Sequence, residues 1–231
     1  PYIAGTSGGG AFFVLFLVFT LLIGVPLLIG EYVLGRHSQA DAVTTFKKLA
    51  PTSTFRFTGW LGVVTCFLIL SFYSVIGGWS ILYLGSSLFG QLHSLVADGY
   101  AQRFGELIAS PYLAIGAQAI FLALAAGIVS KGVQKGIEKA SKWMIPILFI
   151  LLLILAGYSL TLEGAQEGLR FLFSPDWSTV SSDVVLFALG QSFFALSLGV
   201  SIMITLSSYA SKQQDLPLSA MTLGGMNILV A

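Results

Sequence analysis

The chain has 231 residues, of which 56% are hydrophobic and 9% charged, with a formal net charge of +1, and its mean hydropathy is +0.90. Ordinary soluble domains carry about 25% charged residues, so the composition excludes one and reads as an all-α integral membrane protein. One cysteine, Cys66, lies inside an apolar run; no internal disulfide is possible, and the thiol reads as packing.

A hydrocarbon core about 30 Å thick takes about 20 apolar residues per helix. In chain order the qualifying segments are 11–34, with Gly24 and Pro26 as tolerated kink positions, then 59–86, 111–129, 143–162 and 183–208. A further span starts at 216 and runs to 231, so 1–231 reads as one transmembrane domain. The chain opens with Pro1, carries no signal-peptide pattern and ends at Ala231 within an apolar segment. It is therefore expected to be an internal stretch of a longer protein.

The basic residues sort by side. Connections 35–57, 130–142 and 209–216 hold Arg36, Lys47, Lys48, Arg56, Lys131, Lys135, Lys139, Lys142 and Lys212, which is nine of the eleven. The alternate connections hold only Arg103 and Arg170. By the positive-inside rule the first set is cytoplasmic, which places the chain as multi-pass in an inner or plasma membrane.

Charge at bilayer depth is scarce. Glu31, near the inner end of the first span, reads as a local interfacial pair with Arg36 or as a cap on a neighbouring loop. His37 and His93 lie in connections, so no titratable cluster is left for a membrane enzyme, a metalloprotease or a proton relay. No helix carries spaced arginines, which excludes a voltage sensor. No nucleic-acid partner is expected.

The remaining polar signals are neutral. Tyr73, ahead of Gly77-Gly78, needs a hydroxyl partner, either a ligand carboxylate or a packed helix. The run Gly190-Gln191-Ser192-Phe193-Phe194-Ala195-Leu196-Ser197-Leu198-Gly199-Val200-Ser201 reads as a small-residue interface or as a helix that breaks in the membrane. Broken helices survive there only around a polar cavity, which points to solute passage. Asn227 is interhelical glue or an ion ligand. Gly136 with Pro146 marks an ordinary helix start or a segment that unwinds.

Order and spacing of Gly8-Gly9-Gly10-Ala11-Phe12, Gly24-Val25-Pro26-Leu27, Gly30-Glu31-Tyr32, Gly35-Arg36, Tyr73, Trp79, Lys135-Gly136-Ile137-Glu138-Lys139, the Gly190 run and Asn227 resemble the neurotransmitter:sodium symporter family, in its bacterial amino-acid-transporting branch. The resemblance covers essentially the whole chain, from the end of family helix 1 to the start of helix 7. It implies a fragment of the inverted five-helix-repeat transporter fold with a broken helix 6. It also implies import of small hydrophobic amino acids coupled to Na+ by alternating access. An uncoupled or substrate-sensing protein of the same fold is the alternative.

Site roles follow from the resemblance. Ile69, Tyr73, Phe194, Ser197 and Val200 are implied substrate contacts, with Tyr73 and Phe194 also the outer gate. The half-helix start near Ser201 is implied to offer N–H groups to the substrate. Asn227 and the backbone carbonyl of Ala195 are implied sodium ligands, and Gly136 with Pro146 an inner unwinding motif. The chain departs from the family at Ala195, where a Thr or Ser hydroxyl is usual. Gln191 alone remains of the anion-site set, since Phe16 replaces a tyrosine and Ala231 stands where a serine or carboxylate is common; chloride is therefore not implied. Val200-Ser201 replace an aromatic-glycine pair, leaving pocket room worth about 1–3 kcal/mol of selectivity.

Overall fold

The computed structural model describes residues 2–91, 97–211 and 213–230, so Pro1, His93, Lys212 and Ala231 lie outside it. Among the described residues all regular structure is helical. The chain divides into two compact units, Pro1–Cys66 with Leu152–Ala231, and Phe67–Leu151.

In the first unit, α1 (Tyr2–Thr6) leads into α2 (Gly10–Phe19), a π-helical turn (Thr20–Gly24) and α3 (Val25–Ser38). The last three form one apolar rod, Gly10–Ser38, of 29 residues. The kink expected at Gly24 and Pro26 takes the form of that widened turn, with the Val25 N–H donating to Thr20 O. Proline explains it: Pro26 has no N–H to give the carbonyl four residues back, and its ring presses on that carbonyl. α3 closes on Gln39, left-handed at φ 45°. Asp41 then caps α4 (Ala42–Leu49) by accepting from the Thr44 N–H at 3.1 Å. A 3-10 turn (Thr54–Phe57) follows.

α5 (Thr58–Leu88) carries the chain into the second unit, which continues with α6 (Ala97–Ala109), α7 (Pro111–Val129), a π-helical turn (Val133–Glu138) and the start of α8 (Lys139–Ser159). α6 falls inside a connection that the hydropathy pattern leaves without a helix. It docks through Phe104, edge-on to Trp79 at 5.8 Å and to Tyr83 at 6.1 Å. The close approach expected at Gly77-Gly78 is present: a Cβ on Gly77 would meet the Phe121 ring, and one on Gly78 the Gln118 backbone. Gln118 Nε2 donates to Ser74 Oγ at 2.9 Å across the same α5–α7 seam.

Back in the first unit come α9 (Ala165–Phe173), a 3-10 turn (Trp177–Thr179), α10 (Ser182–Ala195), α11 (Ile202–Ser207) and α12 (Leu216–Val230). Among the described residues four helical stretches are long and apolar enough to cross a membrane: Gly10–Ser38, Thr54–Leu88, Pro111–Val129 and Lys135–Ser159. Ser182–Ala195 and Leu216–Val230 are apolar but shorter. The span expected to begin at 143 starts earlier and stops at Ser159, where the ladder ends in turns at Thr161 and Leu162. The segment expected as 183–208 is two helices.

Two apolar clusters hold the unit. Phe12, Phe16, Val184 and Ala188 join α2 to α10, while Val25, Leu28, Leu196, Leu198 and Ala220 join α3 to the α10–α11 link and to α12. α3 and α11 come closest at Gly35, where a Cβ would fall on the Ile204 carbonyl and on Ser207 Oγ.

Of the two readings of Glu31, the loop cap is the one formed: its Oε1 accepts the Gly199 N–H of the α10–α11 link at 2.7 Å, across 168 residues. The pair with Arg36 is not formed, and Arg36 Nη1 donates to Gln214 O at 2.6 Å instead. α3 thus holds the α10–α11 link by a carboxylate at its middle and a close backbone contact one turn on.

Three outcomes test this packing on the full-length protein in detergent. Gly35→Ala should lower thermal stability by about 1–3 kcal/mol, as overpacking does. Gly30→Ala, with open space around its Cβ, should not. Glu31→Leu, which leaves the Gly199 N–H without its acceptor, should cost about 1–3 kcal/mol, and Glu31→Gln less, because an amide oxygen can still accept; equal losses would mean that the bond at Gly199 is not what Glu31 contributes. At Asp41, the Thr44 hydroxyl and N–H hold the carboxyl below its usual range. Its capping contribution is therefore present above pH about 4 and lost as pH falls through that lowered value. Asp41→Asn should remove that acid-side decline in stability, as a melting-temperature series from pH 6 to 3 would show.

Candidate functional site at a broken helix

α10 stops at Ala195 and α11 starts at Ile202 because the intervening backbone leaves right-handed helical space three times. Ser197 has φ 54°, Gly199 φ 77° and Ser201 φ 64°. Only glycine adopts this region without cost, so the two serines are held there by their surroundings. Ser201 is buried against Gly62 of α5, whose missing Cβ gives its side chain room.

An unbroken helix would pair the Gly199 N–H with the Ala195 carbonyl. Glu31 takes that N–H instead, and the Ala195 carbonyl is released. Asn227 of α12 fills the gap, donating Nδ2 to Ala195 O at 2.6 Å. The Val200 carbonyl accepts from Cys66 Sγ at 3.0 Å, so the lone thiol is a donor to the break as well as packing. Ser201 O accepts from the Thr205 N–H at 3.2 Å and from its hydroxyl at 3.1 Å, which starts α11. Every one of these carbonyls finds a donor, as apolar surroundings demand. A cavity of about 270 Å³ lies beside the Val200 and Ser201 end of the break, lined in part by Val63, Cys66, Val200, Ser201, Ile202 and Thr205.

The pair at Ala195 and Asn227 suits a hard monovalent cation. Turning the Asn227 amide over brings Oδ1 where Nδ2 now lies, so the side chain that donates to the carbonyl can instead stand beside it as a second oxygen donor. Neither group carries charge, and sodium takes such neutral oxygen ligands.

The other residues singled out in the sequence are distributed as follows. In the first unit, Phe194 is exposed at 52%, and Gln191, Ser197 and Val200 are half-buried. Phe16, in place of a hydroxyl-bearing ring, is 2% exposed in the apolar α2–α10 cluster. In the second unit, Ile69 is half-buried and Tyr73, one turn on along the same face of α5, is 43% exposed. The Phe72 ring stands edge-on to that of Tyr73 at 5.8 Å. Gly136 lies in the π-helical turn before α8, so close to α7 that a Cβ would strike the Ile128 carbonyl. That stretch is widened and still helical. Pro146 sits exposed within α8.

Sequence reasoning missed which loop Glu31 caps. Its one signal was a lone carboxylate in an apolar span, and nothing in the spacing names a partner 168 residues away.

Comparison with known proteins agrees with this geometry. A model of the sodium:neurotransmitter symporter family matches residues 1–96 and 114–231. The chain is 50% identical over 230 residues to the uncharacterized sodium-dependent transporter YhdH of Bacillus subtilis (strain 168), covering 100% of this chain and 51% of that protein. It is 35% identical over 241 residues to an uncharacterized sodium-dependent transporter of Haemophilus influenzae, covering 100% and 53%. The crystal structure of MhsT in complex with L-phenylalanine superposes with a TM-score of 0.93 at 47% identity, covering 100% of this chain and 52% of that one. The chain thus spans about half the length of the relatives it matches. With this match along both segments and the helix break in place, the chain belongs to the sodium:neurotransmitter symporter family.

Proposed function

We propose that the protein is a sodium-coupled secondary active transporter that imports small hydrophobic amino acids by alternating access. The observation that carries this reading is the Ala195 carbonyl, released from its helix and met by the Asn227 amide at 2.6 Å. In this reading the two oxygens bind co-transported sodium. The neighbouring break, with the Tyr73 hydroxyl, receives the substrate.

Each residue then has a task. The Tyr73 hydroxyl donates to the substrate carboxylate, and its ring, with that of Phe194, closes over the ligand from outside. Ile69, Ser197 and Val200 contact the substrate side chain. None of these assigned residues is acidic, which favours a zwitterionic amino acid over a free amine. The complex of MhsT with L-phenylalanine, at 47% identity, supports an apolar amino acid as the substrate class. Gly136 and Pro146 are the inner segment that loosens to admit water. Connections 35–57, 130–142 and 209–216 face the cytoplasm, and 1–231 forms one transmembrane domain of a cell-membrane protein. Chloride is not required, since Phe16 brings no donor to an anion.

One residue favours a second reading. Ala195 contributes no hydroxyl to the cation, and a weakened cation site would leave a protein that binds an amino acid without concentrating it.

Uptake of labelled L-phenylalanine by the full-length protein in proteoliposomes separates the two. Accumulation that requires an inward sodium gradient supports the symporter, and binding without accumulation supports the sensor. In the same assay Tyr73→Phe should weaken substrate binding at least about 10-fold, the loss of a hydrogen bond to a charged group. Wild-type affinity in that variant would remove Tyr73 from the site.

A further inference from the structure

We propose that the Thr20 hydroxyl is a further oxygen ligand of the cation site, one the sequence did not mark, joining the Ala195 carbonyl and the Asn227 amide. This rests on the symporter reading above.

Thr20 is completely buried, and its Oγ1 has no hydrogen-bond partner among the described residues. Hydroxyls in apolar helices ordinarily close on the carbonyl three or four residues back. Five others here do so: Thr65 on Leu61 O at 2.9 Å, Ser71 on Phe67 O at 2.9 Å, Ser192 on Leu189 O at 2.9 Å, Thr205 on Ser201 O at 3.1 Å and Thr222 on Leu218 O at 2.8 Å. Thr20 differs although its own N–H still reaches Phe16 O and Leu17 O at the end of α2; it opens the π-helical turn, and its hydroxyl is turned to neither of those carbonyls. Such turns recur at functional sites.

Packing fixes the level at which the hydroxyl sits. One turn toward the helix start, Phe16 lies in the cluster against which Ala195 and Ile228 pack. One turn the other way, a Cβ on Gly24 would meet Leu196, and Val25 lies against Gly224. The turn itself touches both α10 and α12. Thr20 therefore falls between Ala195 and Leu196 along one neighbour and between Gly224 and Ile228 along the other. That is the level of the released carbonyl and of Asn227. A hydroxyl, an amide oxygen and a backbone carbonyl form a neutral, hard donor set for a monovalent cation, and the hydroxyl supplies from α2–α3 what the Ala195 side chain cannot.

The test is a sodium titration of thermal stability on the full-length protein in detergent, with potassium balancing ionic strength and no amino acid added. Thr20→Val should be at least as stable as wild type in potassium alone, since it removes an unpaired buried hydroxyl. It should also need about 10-fold more sodium for half of the stabilisation, which is about 1.4 kcal/mol. Thr20→Ser should restore the wild-type midpoint. A wild-type midpoint in Thr20→Val overturns the proposal; Thr20→Ala gives the same comparison if the valine variant does not fold. Asn227→Leu separates the two layers. If it abolishes the sodium response while Thr20→Val keeps it, only the Thr20 assignment falls. If the wild type shows no sodium response, or Asn227→Leu keeps it, the cation site itself falls and Thr20 with it.

Discussion

The bond from the Gly199 N–H to the Glu31 carboxylate at 2.7 Å is the constraint from which the rest of the first unit follows. A bilayer helix is stable because each N–H serves the carbonyl four residues back. Once Gly199 serves Glu31, the Ala195 carbonyl must find another donor, and the chain can no longer continue as a helix between them. Asn227 answers the first demand and the three left-handed residues the second. The break is a transfer of donors between α3, α10 and α12, in which the released Ala195 carbonyl is still satisfied.

Magnitudes show that the transfer needs more than its one hydrogen bond. A non-glycine residue held at positive φ costs about 1–3 kcal/mol, and Ser197 and Ser201 both sit there. A hydrogen bond returns about 1 kcal/mol, so the one at Glu31 does not by itself cover both serines. Packing contributes beside it: Leu196 and Leu198, inside the broken stretch, are 0% and 8% exposed against α3 and α12. Gly35 brings α3 near enough to α11 for this to happen.

Much of this was legible in the sequence. Long apolar runs mark where the long apolar helices lie, because a bilayer sets helix length, and four of the expected stretches hold one. Small polar residues around Gly199 left two readings open, a close helix interface or a break, and the backbone at 197, 199 and 201 is the second. The amphipathic helices α6 and α9 were not seen, because short helices in polar connections owe their stability to docking, as Phe104 does against Trp79. Glu31 was visible as an anomaly, but its partner was not: residue spacing reports local neighbours, and the pairing runs over 168 residues. Thr20 left no signal, because a threonine in an apolar run is unremarkable until its hydroxyl is found without an acceptor.

Coupling between two ligands requires one element whose equilibrium both of them bias. In the symporter reading the segment 196–201 is that element. Its start is fixed by what Ala195 O binds, and its end by what holds Val200 and Ser201. A cation at the released carbonyl replaces the Asn227 donor with an ion and stiffens the end of α10. A substrate beside Ser197 and Val200 acts on the same few dihedrals from the other side. The two ligands then need no separate relay, because each orders backbone the other must also order. The Glu31 bond keeps Gly199 from returning to Ala195, so the segment cannot re-form a helix and erase both sites at once.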